Sequence, residues 1–335
     1  MAAAAVRRDG PEGEQPLPSS VDVAALHASA EALVRLHGGS AAVPAGSSFR
    51  QHLLEHARTG AQRSTLAQLG GDIERRARAG RVRSIGAGAP VDILFDLAGT
   101  LADLIARGRG TDANILANRY LDLSPQGATG WALLPLMLSL RTGDPAAADR
   151  LLEEVPPQLI VIGGLSGTGK SSLSRLLGAH YGRRPGARVL RSDVFRKRLA
   201  GVAPEARLPA TQYTRRNDAL TYEALFESAD DHLRCGSTVI VDAVFLNRSE
   251  REVAQALAVQ VRAPFSGIWL EAPDRDRIAR ITARTADASD ATAEIAREQA
   301  RRSVGDLFGW HRMRANRAME QILPAARAAI ERARR

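Results

Sequence analysis

The run Gly164-Leu165-Ser166-Gly167-Thr168-Gly169-Lys170-Ser171, followed by Ser172, fits the pattern G-x-x-x-x-G-K-[ST]. That spacing suits a loop closing on the phosphates of a nucleotide. Glycines let backbone N–H groups turn inward on phosphate oxygens, and a helix starting at the loop's end adds the positive end of its dipole. Lys170 would bring a compact ammonium to the β- and γ-oxygens, and Ser171 a hydroxyl to Mg²⁺. Among 46 Lys and Arg residues, only Lys170 and Lys197 are lysines. A lysine kept where the motif needs one, in a chain that otherwise uses arginine, points to chemistry rather than to solubility.

Three other groups carry matching chemistry. Asp193, in Arg191-Ser192-Asp193, stands just before the basic cluster Arg196-Lys197-Arg198. A carboxylate there can orient or deprotonate an acceptor hydroxyl, or it can cap a helix beginning at Val194. Arg196 and Arg198 can clamp an anionic substrate, or they can form a solvated helix face. Asp242 ends Val239-Ile240-Val241-Asp242, the pattern of a Walker B carboxylate that holds Mg²⁺ through its water shell; a turn-forming Asp is the alternative. Arg280 and Arg284 stand four apart, so a helix sets both on one face. They would neutralise a transferring phosphoryl group from a lid whose tip is Thr285 to Ala291, or else be ordinary surface arginines.

These groups need strands to position them. Apolar Leu159–Ile162 leads into the glycine-rich loop, and strand-like runs recur at 187–191, 238–241, 266–270 and, more weakly, 310–313. Helical stretches separate them, most clearly Asp218 to Leu233 and Ala272 to Arg284. Alternating strands and helices of this length predict a doubly wound parallel sheet with its ligand crevice at the carboxyl ends of the strands. Before Pro156-Pro157 the pattern from Val21 to Glu154 is helical, with Asp144-Pro145 starting a last helix over Ala146 to Glu153. Residues 1–20, rich in Pro, Gly, Glu and Ser, read as a disordered tail.

The net charge of +9 is uneven: residues 1–155 hold 16 Arg against 17 Asp and Glu, whereas residues 156–335 hold 30 basic against 20 acidic side chains. A positive second half suits a nucleotide or another anion, and it keeps nucleic acid open as a partner. The single cysteine, Cys235, excludes an intramolecular disulfide and a cysteine metal site, so a reducing cytoplasm is expected. Apolar runs fall short of membrane-spanning length, the longest being Trp131–Leu138 with Pro135 inside it. A GTPase would need Asn-Lys-x-Asp around one of the two lysines, and a transporter ATPase a second signature motif; the sequence has neither.

The run Leu190-Arg191-Ser192-Asp193-Val194-Phe195-Arg196-Lys197-Arg198-Leu199-Ala200-Gly201-Val202, with Val241–Phe245, Trp269–Pro273 and Asp287–Ala291, resembles the kinase half of a bacterial family. Its members fuse an aminoglycoside-phosphotransferase-like domain to a P-loop ATP-binding domain related to gluconate and adenylylsulfate kinases and to zeta toxins. The resemblance covers nearly all of residues 157–310 and implies binding of ATP and Mg²⁺ and phosphoryl transfer, leaving the acceptor open. Such proteins tend to carry an Asp after the tryptophan, whereas His311-Arg312-Met313-Arg314 follows Trp310. The first half is similar to the rear helical part of the phosphotransferase-like domain, through Val91–Ala98, Ala117–Leu123 and Leu133–Leu136. Its His-Gly-Asp catalytic loop would fall at Ser84–Pro90 and is missing, and no lysine precedes Lys170. Asp96 aligns with a structural Asp at a helix start rather than a metal ligand.

The expected protein is thus α/β, a P-loop kinase-like doubly wound parallel sheet over 156–335, preceded at 21–155 by an inactive helical remnant of a phosphotransferase-like domain. Its expected activity is transfer of the γ-phosphoryl of ATP·Mg²⁺ to a small-molecule hydroxyl. A nucleotide-binding regulatory protein with weak ATPase activity, and a nucleic-acid or nucleotide-sugar kinase, are the alternatives.

Overall fold

Capping side chains start helices through the first half, where the apolar periodicity begins. In the computed structural model, which describes residues 22–43, 48–86, 88–283 and 288–334, these are α1 (Val23–Gly39), α2 (Ser48–His56), α3 (Gly60–Gln68) and α4 (Gly70–Arg78). Asp22 accepts from the Ala25 amide to begin α1, and Thr59 with Gln62 forms a capping box on α3. An antiparallel pair follows, β1 (Val82–Arg83) with β2 (Val91–Asp92). This hairpin corrects the expectation of helix throughout 21–154: Gly80, Gly86, Gly88 and Pro90 break the helical run, and the chain turns back on itself. Helices α5 (Ile93–Ala106), α6 (Gly110–Leu123), α7 (Gly127–Arg141) and α8 (Pro145–Leu152) complete this half. The last starts as the sequence predicts, with Asp144 capping the Ala146 amide and Pro145 in the first turn.

Asp92 is fully buried, accepts two bonds from Arg76 at 2.8 and 2.7 Å, and caps α5 through the Leu94 amide. Asp96 lies in the first turn of α5, 3.0 Å from His37 Nε2, and His37 Nδ1 is 2.6 Å from the Tyr120 hydroxyl. The His37 hydrogen bond holds the Asp96 carboxyl below its usual range despite burial. His37 thus joins α1 to Asp96 of α5 and Tyr120 of α6.

In the second half the order is β3 (Leu159–Gly164), α9 (Lys170–Gly178), β4 (Arg188–Arg191), α10 (Ser192–Leu199), α11 (Arg215–Arg234), β5 (Val239–Asp242), α12 (Arg248–Gln260), β6 (Phe265–Glu271), α13 (Asp274–Thr282), α14 (Ala293–Arg301), β7 (Trp310–Arg314) and α15 (Met319–Ala333). The strands form one parallel sheet in the order β4-β5-β3-β6-β7. Side chains alternate across it with the period of two that strands impose. Leu159 and Val161 pack with Leu225, Leu233, Ala254 and Trp310 on one face. Ile160 and Ile162 pack with Leu173, Leu177, Ile322 and Ile330 on the other. The expected doubly wound sheet is present, and the weak 310–313 run is its edge strand β7.

The opposite edge, β4, is covered by α6. Asn118 Oδ1 accepts from the Val189 amide at 2.8 Å, while Asn114 and Asn118 both donate to the Ala187 carbonyl, at 3.0 and 3.2 Å. Spaced four apart, the two amides occupy one helix face and satisfy backbone groups that a bare edge would expose. Arg188, beside them, is buried against Asp122 at 2.6 Å. We expect Asn118→Leu to leave the Val189 N–H and a share of the Ala187 carbonyl unsatisfied, at a cost of about 1–3 kcal/mol. A melting temperature lower by several degrees, measured by circular dichroism, is the expected outcome; an unchanged one would mean that Asn118 does not hold this edge.

Candidate active site

Parallel strands deliver their carboxyl ends to one side of a sheet, so the loops after β3, β4 and β5 must converge. They do so around a cleft of about 290 Å³ lined by Lys170, Ser171, Asp193 and Asp242 together with side chains from α11, α12 and α14. Gly164 ends β3, Leu165, Ser166, Gly167, Thr168 and Gly169 form the turn after it, and Lys170, Ser171 and Ser172 open α9. Gly169 caps α9 in the left-handed region at φ 93°. At Gly167, also left-handed, a Cβ would fall 2.5 Å from the Arg277 carbonyl oxygen, so only glycine fits beneath α13. Lys170 Nζ donates to the Gly164 and Leu165 carbonyls at 2.7 and 3.3 Å.

Asp193 sits within the first turn of α10 and faces the cleft. The helix begins at Ser192 with Arg191 in the capping position, so the reading of Asp193 as a cap for a helix from Val194 does not hold. Asp242 ends β5 and is buried, with its Oδ2 3.4 Å from Arg191 Nε. Arg191 Nη2 also donates to Ser171 Oγ at 3.1 Å. A guanidinium thus stands between the hydroxyl and the carboxylate that the sequence offers to Mg²⁺. The donor set fits such an ion: two hard oxygens already share a cation, and Mg²⁺ commonly takes one or two protein oxygens with phosphates and water completing its shell. Among the described residues no group of three His, Cys, Asp or Glu could hold a metal by itself.

The basic cluster divides. Arg196 lines the cleft, paired with Asp218 at 2.7 Å and stacked 5.1 Å over the Tyr213 ring. Arg198 turns toward the helical half, where it donates to the Asp122 carbonyl at 3.3 Å and lies over Phe195. It is not among the residues of the cleft, which corrects its placement with Arg196 as a substrate clamp. Two positions apart on a helix are about 200° apart around its axis, so both cannot face one ligand.

Arg280 reaches the P-loop from α13, with Nη1 3.5 and 3.4 Å from the Gly167 and Thr168 carbonyls and Nη2 2.7 Å from the Ala315 carbonyl. Arg284 and Thr285–Asp287 lie outside the described residues. The rest of the expected lid tip, Ala288 to Ala291, brings Ser289, Asp290 and Ala291 to the cleft rim. Asp290 accepts from Lys197 Nζ at 2.6 Å, the Leu208 amide at 3.0 Å and the Tyr213 hydroxyl at 2.5 Å. Burial would raise its carboxyl, but these three donors outweigh it and hold the group below the usual carboxylate range. The second lysine therefore fastens the α13–α14 connection to α10.

Sequence reading missed several cleft residues: Tyr213, Asp218, Tyr222, Asn247, Glu250, Gln299 and Arg302. Gln299 accepts from the Ser166 amide at 2.9 Å, bringing α14 onto the P-loop. Arg277, buried next to it, donates to the Ser166 carbonyl at 3.2 Å. Asn247-x-x-Glu250 carries a capping-box spacing that could have marked its loop. Away from the P-loop the wall is rich in carboxylates, with Asp218, Glu250, Asp290 and Glu298 alongside Arg196 and Arg302.

This strand–loop–helix with its converging carboxylates has a counterpart among known families. Residues 159–304 match the family model of an AAA domain. That span runs from the first residue of β3 to the segment after α14 and contains the P-loop, Asp193 and Asp242. Among solved structures, a gluconokinase from Sinorhizobium meliloti is similar at 18% identity over 54% of this chain and 94% of its own, with a TM-score of 0.40. A putative kinase from Chloroflexus aurantiacus is similar at 22% identity over 53% and 97%, with a TM-score of 0.42. The APS kinase of Mycobacterium tuberculosis, in complex with AMPPNP and APS, is similar at 19% identity over 53% and 99%, with a TM-score of 0.38. No curated protein matches the chain. The matched span lies within the α/β half with its five-stranded parallel sheet. No helix among the described residues is long and apolar enough to cross a membrane.

Proposed function

We propose that the P-loop domain is an ATP-dependent kinase that transfers the γ-phosphoryl group to a hydroxyl of a small molecule. The observation that carries this reading is the convergence of Lys170, Ser171, Asp193 and Asp242 from three strand ends on one cleft. Lys170 and the loop amides would bind the β- and γ-phosphates. Ser171 and Asp242 would hold Mg²⁺, which supplies neutralisation of charge on the phosphates. Asp193 would orient the acceptor O–H and take its proton as the new P–O bond forms and the bond to the β-phosphate breaks, releasing ADP. Arg280, against the P-loop, and Arg302, at the end of α14, would steady the charge of the transferring group.

The carboxylate-rich outer wall favours an uncharged, hydroxyl-bearing acceptor over a nucleic acid, whose phosphates it would repel. We read residues 21–155 as an inactive helical remnant of a phosphotransferase-like domain, because the catalytic loop and lysine of that fold are missing from its sequence. A chain with a single cysteine suits the reducing cytoplasm. The test is a metabolite-pool screen for acceptor-dependent ADP release, with Lys170→Ala as control. Release stimulated by at least one hydroxylated compound, and absent from the variant, is expected. ATP hydrolysis that no acceptor stimulates would favour the regulatory ATPase reading instead.

A further inference from the structure

Arg191 is the last residue of β4 and is 8% exposed. Its guanidinium reaches two oxygens from different elements, Ser171 Oγ of α9 at 3.1 Å and Asp242 Oδ2 at the end of β5 at 3.4 Å. Resting on the function proposed above, we propose that Arg191 is an internal counter-cation of the metal site, holding Ser171 and Asp242 and competing with Mg²⁺ for them.

The physical case begins with Asp242. A buried carboxylate without a cation is costly, and a neighbouring guanidinium offsets that cost. Mg²⁺ binds oxygen at about 2.0–2.1 Å and demands a near-octahedral shell. A guanidinium bonded to the same oxygens takes up one lone pair of each, and its charge repels the incoming ion. Binding of the metal therefore works against the charge of Arg191.

Its other side offers it no competing acid among the described residues. Arg191 also borders a small cavity of about 30 Å³ between β4 and the helical half, lined with His27, Asn114, Arg119 and Arg175. That volume holds about two waters, and no carboxylate among the described residues lines it. Burial, and then Arg119 and Arg175 ahead of Arg191, push the His27 imidazole down to about 4, against the pull of Glu205. Arg119 is itself anchored by Glu31 and Glu205 at 2.6 Å each. On this side Arg191 therefore faces a neutral imidazole and an arginine already matched by two carboxylates, with no acid lining the cavity to draw it off the metal oxygens.

The test uses the full chain with Arg191→Met, which keeps the stem and removes the charge, and Arg191→Lys, which keeps a cation but loses the fork. Melting temperature is measured in EDTA and across a Mg²⁺ titration without nucleotide, and the Mg²⁺ dependence of ADP binding is measured by calorimetry. Arg191→Met is expected to melt lower in EDTA, to recover as Mg²⁺ is added, and to reach half-maximal ADP binding at about tenfold lower Mg²⁺, a shift worth about 1.4 kcal/mol. Arg191→Lys should fall between it and the parent. An unchanged melt in EDTA with an unchanged or higher Mg²⁺ requirement in both variants would overturn the proposal. Should the parent bind no nucleotide at any Mg²⁺ concentration, the kinase reading fails, and the metal-only melts still decide the role of Arg191. If Arg191→Met does not fold, Arg191→Lys decides by the same two measurements.

Discussion

Asp193→Asn is expected to leave the affinity for ATP and Mg²⁺ nearly unchanged while lowering phosphoryl transfer by about 10²–10⁴-fold, the usual worth of a positioned general base. The amide keeps the shape of the side chain and its place in the first turn of α10, but it cannot accept the acceptor's proton. Asp242→Asn should behave differently. It would weaken the carboxylate proposed to hold Mg²⁺, so Mg²⁺-dependent nucleotide binding should fall along with any hydrolysis, whether acceptor is present or not. Calorimetry with ADP at fixed Mg²⁺, run beside single-turnover transfer, separates the two. Parental transfer by Asp193→Asn would remove it as the base and leave orientation of the hydroxyl to Arg196 or to groups of α14.

Lys170→Ala is expected to abolish measurable turnover. The ammonium is held at the mouth of the loop by the Gly164 and Leu165 carbonyls, close to where γ-phosphate charge would develop. Loss of one such preorganised contact costs about 3–4 kcal/mol in the transition state, or 10²–10³-fold in rate. Arginine is expected not to replace it, because the planar fork is bulkier than the ammonium the loop encloses. The fold should survive, since Lys170 is at the start of α9 and the sheet core does not include it. Parental turnover with a parental melting curve would place the chemistry elsewhere than the P-loop.

Much of the cleft was legible because local patterns specify it. Four β-forming residues followed by an acid placed Asp242 at the end of β5, and a glycine-rich run between an apolar strand and an amphipathic helix placed Lys170 and Ser171. Parallel topology then brought those ends together, because right-handed crossovers return every strand in the same direction. The hairpin of β1 and β2 was not legible, since strands of two residues have too short a pattern to register a period. Arg198 was misplaced because its sequence neighbours do not tell which face of α10 meets the cleft and which meets Asp122.

By itself, then, the sequence determined the phosphate loop, the strand sequence of the sheet and the two acids at its carboxyl edge, all features set by contacts within a few residues. Tertiary structure alone decided the partners of the polar groups that line and brace the cleft. Arg191 meets Asp242 across 51 positions, Lys197 meets Asp290 across 93, and Gln299 meets the Ser166 amide across 133. A charged side chain takes whichever opposite charge or orphaned backbone group the packing of distant elements brings within about 3 Å. That choice depends on helix rotation and strand order rather than on any local spacing.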